Sequence, residues 1–169
     1  NHTGDVIAYS GVGGPGAPYV EQATKPYRDT DGEAFDPAQV AGTDAFPDLY
    51  ADDRSFPYRP VVAEEDGDVK RPEWLNDVRN YHNRGDSSFN GESNTYGDFY
   101  GLDDFFTERP EVVEGAIDLW SQWIRDYRLD GFRLDTVRHV NPAFWRAFLP
   151  AVEEAARDAG VEDFSIFGE

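Results

Sequence analysis

Two carboxylates at the ends of short apolar runs are the residues of this chain best placed to do chemistry. Asp135 closes the run Phe132-Arg133-Leu134, and Glu169 closes Phe164-Ser165-Ile166-Phe167-Gly168. If both runs are parallel strands, the carboxylates stand at the carboxyl edge of the sheet, where α/β folds build their sites. Neighbouring strands lie about 4.8 Å apart, so groups at matching height face each other across about 5 Å. That gap suits a nucleophile and an acid/base acting in turn on one sugar carbon. A pair that must admit an attacking water between its members needs a wider one. Spacing alone leaves the bland alternative open, because a chain with 34 acidic residues also sets two of them at strand ends by chance.

The elements that must position this pair are legible in the last third of the chain. Val113, Ile117, Trp120, Ile124 and Tyr127 recur at intervals of three and four, which predicts a helix with one buried face. Thr107 is placed to cap it, Pro110 is tolerated in its first turn, and Asp130-Gly131 ends it. A short strand through Asp135 follows. Asn141-Pro142 then reads as a cap and a first-turn proline, opening a helix that runs towards Ala159-Gly160 with a break or kink at Pro150. The next strand covers 164–167. Strand, helix, strand is a βαβ unit and implies a parallel sheet.

Residues 3–106 differ in kind. They are rich in Gly, Pro, Asp, Asn and aromatic residues and show no sustained helical period. The stretch 11–16 and Asp29-Thr30-Asp31-Gly32 are turn chemistry, and Arg59-Pro60-Val61-Val62-Ala63 reads as a strand. Asp29–Gly32 has the look of a calcium loop, but its Gly is misplaced and the closing Glu is missing, so a turn is expected. Arg84-Gly85-Asp86 spells an adhesion tripeptide that this composition produces by coincidence. Tyr81-His82-Asn83, Trp74, Phe89, Tyr96, Phe99 and Tyr100 either line a sugar cleft or pack a small domain; the sequence supports both.

Composition sets the partner class. The chain of 169 residues has a net charge of −19 and no Cys or Met, and Lys25 and Lys70 are its two lysines. Such a field disfavours nucleic acid and anionic membranes, and no run approaches the ~20 apolar residues of a membrane span. A neutral sugar suits it. Scarce lysine and abundant aspartate point to a salt-loving source, where a Debye length of about 3 Å at 1 M screens self-repulsion.

The surrounding residues add a resemblance. Asp130-Gly131-Phe132-Arg133-Leu134-Asp135-Thr136-Val137-Arg138-His139 closely resembles the fourth-strand motif of the α-amylase family, glycoside hydrolase family thirteen. Phe167-Gly168-Glu169 is similar to its fifth-strand motif, and Asn1-His2 to the tail of its third. Gly101-Leu102-Asp103-Asp104-Phe105 resembles the signature late in the domain inserted after strand three. The four stand in family order across the whole chain.

The resemblance implies an α/β fold, part of a (β/α)8 barrel. Residues 1–2 would end strand three, 3–106 would form the inserted domain, and 107–169 would supply helix three, strand four, helix four and strand five. A whole barrel takes about 250 residues, so the chain reads as a segment of a longer protein. It would lack the family's third carboxylate, after strand seven, and be inactive alone. Asp135 would be the nucleophile and Glu169 the acid/base. Arg133 would hold the Asp135 carboxylate ionised, His2 and His139 would bind sugar hydroxyls, and Arg138 a sugar on the leaving side. A structural calcium would take Asn1, Asp104 and the His139 carbonyl, although Leu102-Asp103-Asp104 departs from the family's Leu-Pro-Asp. The parent is expected to act outside the cell on α-linked glucan, an oligo- or polysaccharide such as starch or maltodextrin. A transglycosylase or isomerase of the same family would carry the same motifs. A non-catalytic relative would usually have lost one carboxylate, and a calcium-dependent interaction module leaves the ordered motifs unexplained.

Overall fold

The computed structural model describes residues 1–12 and 16–169, so the centre of the expected turn at 11–16 lies outside the described residues. The first 106 residues are built from two-residue strands joined by long loops. β1 (His2–Thr3) pairs antiparallel with β6 (Asp103–Asp104), β2 (Ala8–Tyr9) with β5 (Pro60–Val61), and β3 (Tyr27–Arg28) with β4 (Ala34–Phe35). The strand expected at 59–63 is thus only the pair Pro60–Val61. Two one-turn helices, α1 (Pro37–Val40) and α2 (Ser93–Tyr96), and three 3-10 turns, Glu64–Asp66, Glu73–Asn76 and Val78–Asn80, make up the rest of the regular structure in this region among the described residues.

Ladders this short cannot hold a region together, and side chains do so instead. Tyr27, Leu49, Phe56 and Phe106 form a small buried cluster, with the Tyr27 and Phe106 rings 4.8 Å apart. Asp29 Oδ1 accepts the N–H groups of Asp31 and Glu33, which makes 29–32 the expected turn between β3 and β4. Arg84 is fully buried over the Tyr27 ring and donates to the carbonyls of Val20 and Lys25. The adhesion tripeptide therefore starts inside the protein.

The remaining residues form two long helices over one parallel ladder. α3 (Pro110–Tyr127) begins with its proline in the first turn, but Arg109 takes the cap position. Thr107 is buried and accepts from Asn141 Nδ2 at 3.0 Å, joining the entrances of the two helices rather than capping one. α3 ends on Arg128, left-handed at φ 49°, whose N–H reaches the Ile124 carbonyl. Gly131, expected to end that helix, instead opens β7 (Gly131–Leu134). A Cβ there would lie 2.0 Å from the Ser165 carbonyl oxygen, so only glycine lets the strands approach.

α4 (Pro142–Asp158) is capped as expected, Asn141 Oδ1 accepting from the Phe144 N–H at 3.0 Å. It continues through Pro150 rather than breaking there. Pro150 and Arg146 both face solvent, where water can satisfy the carbonyl that proline's missing N–H leaves free.

β8 (Ser165–Gly168) runs parallel to β7 in the register Gly131↔Ser165 through Leu134↔Gly168. Phe132 and Ile166 face the helices and pack on Ile124, Phe144, Phe148 and Val152. Each fully buried side chain of this kind contributes about 1.5–3 kcal/mol relative to exposure. The expected helical stripe is only half covered. Val113 and Ile124 are buried, but Trp120 is 41% and Tyr127 66% exposed, although the Trp120 ring lies 5.5 Å from that of Phe132. Among the described residues no helix is long and apolar enough to cross a membrane.

Candidate active site

Asp135 and Glu169 occupy the rung that follows Leu134↔Gly168. The ladder continues through them: the Glu169 N–H donates to the Leu134 carbonyl at 2.9 Å, and the Val137 N–H to the Glu169 carbonyl at 3.1 Å. The two residues are therefore about one strand spacing, ~4.8 Å, apart along their backbones. By strand alternation Arg133, Asp135, Phe167 and Glu169 share the face opposite the helices, and all four are exposed. Gly168 is required between strand and turn, since a Cβ would meet the Val137 side chain at 2.6 Å. Thr136, left-handed at φ 57°, turns the chain sharply, and its N–H donates to Asp135 Oδ1 at 2.9 Å.

Arg133 does not partner Asp135 as expected. Its guanidinium forms an ion pair with the Glu169 carboxylate across the ladder. The reason is local: Asp135 turns one oxygen back onto the Thr136 N–H, while Glu169 lies diagonally opposite Arg133 on the same face. Arg133 thus sits on the strand of one carboxylate and in contact with the other.

The expected sugar-binding histidines are both inside the protein. His2 Nε2 lies 3.2 Å from Asp104 Oδ1 yet makes no hydrogen bond, its direction being wrong. Burial, with the nearby charge of His82, lowers its pKa, so the ring is neutral at pH 7. It rests on Phe99 at 4.3 Å. His139 is more completely used. Its Nδ1 meets the Asn94 carbonyl at 2.8 Å, and its Nε2 accepts from Arg138 Nε at 3.1 Å. A carbonyl can only accept and a guanidinium can only donate, so the ring is the neutral Nδ1–H form. His139 therefore ties the α2 turn to the loop after β7, and Arg138, itself exposed, is held beside it.

One group beside the site gave no signal in the sequence. His82, read as possible cleft lining, is fully buried, with Nδ1 2.7 Å from Asp104 Oδ2 and Nε2 2.9 Å from Glu108 Oε2. Ionised carboxylates only accept, so both ring nitrogens donate and the ring is an imidazolium. Burial opposes that charge, but the Asp104 and Glu108 carboxylates outweigh burial and raise the pKa to about 9. Burial raises Asp104 in turn to about 6, against the pull of His82. No periodicity or short motif links positions 82, 104 and 108; only the loop geometry brings them together.

Asp104, itself one of the three implied calcium ligands, connects this group to the other two, Asn1 and the His139 carbonyl. Asn1 Nδ2 lies 2.8 Å from Asp104 Oδ1 and 3.5 Å from the His139 carbonyl oxygen, while Thr136 Oγ1 donates to Asn1 Oδ1 at 2.6 Å. The N and O of an Asn amide are assigned rather than observed. Turned over, the amide would set three oxygens together, the donor type calcium takes, so these residues fit part of its shell of 6–8. Among the described residues no three His, Cys, Asp or Glu side chains are grouped to hold a metal by themselves. Asn1, His2, Phe99, Leu102, Asp135 and Thr136 line one side of a cavity of about 580 Å³, which continues along the unpaired edge of β7.

Comparison with known proteins gives the family. Residues 42–163 match the family model for the alpha amylase catalytic domain. Alpha-amylase of Streptomyces lividans is 46% identical over 170 residues, covering 100% of this chain and 18% of that protein. Maltogenic alpha-amylase of Bacillus acidopullulyticus is 38% identical over 64 residues, 38% of this chain and 11% of its own length. The crystal structure of alpha-amylase from Geobacillus thermoleovorans, complexed with acarbose, superposes with a TM-score of 0.49 at 34% identity, over 59% of this chain and 22% of that one. The chain spans under a fifth of the length of the Streptomyces relative. A parallel β-α-β unit with acidic residues at its carboxyl edge, and a family match over most of the sequence, make this chain a member of the α-amylase family, with that family's TIM-barrel type of fold.

Proposed function

We propose that Asp135 and Glu169 are the nucleophile and the acid/base of a retaining glycoside hydrolase acting on α-linked glucan. The observation that carries this is their place on adjacent parallel strands at the same rung, which suits the narrow carboxylate gap of retention. The free oxygen of Asp135 attacks the anomeric carbon as the glycosidic C–O bond breaks, and Glu169 gives its proton to the departing oxygen. A covalent glycosyl-aspartate results. Glu169, now a carboxylate, takes a proton from water, the water oxygen bonds to the anomeric carbon, and Asp135 leaves as a carboxylate. The Thr136 N–H holds the other Asp135 oxygen throughout.

Arg133, ion-paired with Glu169, holds that carboxylate in the site rather than the nucleophile, and the pair must open for Glu169 to carry the proton it donates. His2 presents a neutral ring whose Nε2 is buried 3.2 Å from Asp104 Oδ1, so a sugar contact from it requires the ring to move. Arg138 contacts a sugar on the leaving side, and a sugar contact from His139 requires Arg138 to release its Nε2 first. The test is trapping. The full-length protein treated with an activated fluorinated glucoside should carry a glucosyl label on Asp135, located by mass spectrometry, and Asp135→Asn should carry none. A label on any other residue rejects the assignment.

Convergence of Asn1, Asp104 and the His139 carbonyl supports a calcium ion held there. When bound it would supply a fixed charge tying β1 to the loop after β7. Chelation with EDTA should then lower the melting temperature by several degrees, with calcium restoring it; an unchanged melt removes calcium from the reading. Polymeric glucan does not cross membranes, which supports action outside the cell. The net charge of −19 supports a salt-rich setting.

A further inference from the structure

Arginine fills most basic positions of this chain, and the two exceptions are Lys25 and Lys70. The Lys70 side chain is 9% exposed, and its ammonium reaches acceptors on three separate segments. Nζ donates to Thr3 Oγ1 in β1 at 2.7 Å, to the Tyr81 hydroxyl at 3.1 Å and to Asp103 Oδ2 in β6 at 2.9 Å. An ammonium has three donors and no acceptor, so this set uses it completely. The arginine fork is planar and rigid, and cannot aim its donors at three acceptors gathered about one point. Position 70 therefore demands lysine in a chain that otherwise favours arginine.

The acceptors are themselves fixed. Tyr81 donates its own proton to the Leu75 carbonyl at 2.6 Å, and Asp103 accepts the Val6 and Ile7 N–H groups at 3.1 and 3.4 Å. Lys70 thus ties β1 and β6 to the loop that carries Tyr81. The tie matters because the β1–β6 ladder has two rungs, Thr3↔Asp103 and His2↔Asp104, too few to hold its own place. Lys70 grips both members of the first rung. The second rung carries His2, and Asn1, His2 and Thr3 all line the cavity onto which Asp135 opens. Asp103 stands where the resembled motif has proline, so this clamp belongs to the chain and not to the motif.

We propose that Lys70 is a positioning residue: it holds β1 against β6 and so sets the wall of the cavity that receives the substrate. Its part in the reaction rests on the hydrolase reading above. In the full-length protein, Lys70→Met should raise KM for an α-linked glucan roughly tenfold and leave kcat within about threefold, because a shifted wall weakens binding before chemistry. Amide hydrogen exchange should quicken at residues 2–3 and 103–104 and stay unchanged in α4. Lys70→Arg, which keeps the charge but not the geometry, should show the same rise in KM. Should Lys70→Met fail to fold, Asp103→Asn removes only the counter-charge and should shift both readouts the same way by less. Ile124→Val loosens the apolar core and should leave KM alone, which separates positioning from general stability. Unchanged exchange in β1 and β6 overturns the clamp. Quickened exchange with an unchanged KM, or a wild-type KM in Lys70→Arg, overturns its part in the reaction. A wild-type protein that cleaves no glucan overturns the hydrolase reading instead, and exchange alone then decides the clamp.

Discussion

The two halves of the molecule bury different things. Residues 107–169 fold by covering Ile124, Phe148, Val152 and their neighbours, an apolar core beneath one parallel ladder. The first 106 residues instead bury charge. His82 and Asp104 are almost wholly enclosed, with Glu108 reaching them from the start of the other half, Lys70 is pinned on Asp103, Thr3 and Tyr81, and Arg84 lies over Tyr27. Apolar packing tolerates approximate shapes, whereas a buried ion must find its partner or pay heavily in solvation. The half that carries the two carboxylates is thus robust, and the half that faces them is exacting.

The sharpest way to break this contrast is to remove the central cation. His82→Leu leaves Asp104 and Glu108 buried without their shared donor and should destabilise the full-length protein by about 3–5 kcal/mol. Ile124→Val, in the apolar half, should cost only about 0.5–1.5 kcal/mol. Urea unfolding of both variants makes the comparison, and similar losses would erase it.

pH offers a second way. The folded pKa of His82, about 9, lies above its ordinary 6.5, so its stabilisation is complete below about pH 6.5 and is lost as pH rises through 9. Asp104, raised to about 6 from 3.8, acts in the same direction at lower pH, because its ionised form is the one that burial penalises. The groups facing His82 are Asp104, Glu108, Tyr96 and Phe106, and the two carboxylates supply the charge. Between pH 6.5 and 9.5, amide hydrogen exchange, corrected for its intrinsic pH dependence, should quicken around His82 and Asp104 but not in α4. Uniform change across both halves would count against the separation.

Salt should act more gently. Residues 1–106 carry 21 acidic and 8 basic side chains, against 13 and 7 in residues 107–169. Raising KCl from 0.1 to about 2 M shortens the Debye length to a few ångströms. Thermal stability should rise, and protection in the first region should gain most. A fall in stability with KCl would contradict the reading of the charge.

The same contrast explains what could be read from the sequence. Helical period, the Asn141-Pro142 cap and the strand ends at Asp135 and Glu169 are local signals, and all reappear in the structure. Where local rules failed, an outside contact had intervened: Ser165 against Gly131, Asn141 against Thr107, Glu169 drawing Arg133 away from Asp135. Trp120 and Tyr127 obey the helical period yet stay exposed, because period marks a face and not what covers it. Asp104 and His82 each drew notice in the sequence, but not their pairing, since the partners of His82 are 22 and 26 residues away and only the one-turn α2 and the two-residue β6 lie in between, too short to set a spacing.

Asn1 has a consequence for how the molecule comes together. Its side chain bonds Asp104, 103 residues away, and Thr136, 135 residues away. Contacts across such separations carry the largest loop-closure entropy and form late, after local turns and helices have shortened the chain between them. β7, α4 and β8 lie within 38 residues and can assemble early. His2 follows Asn1 directly, so its place depends on those long-range contacts, whereas Asp135 and Glu169 are set by a unit that closes locally.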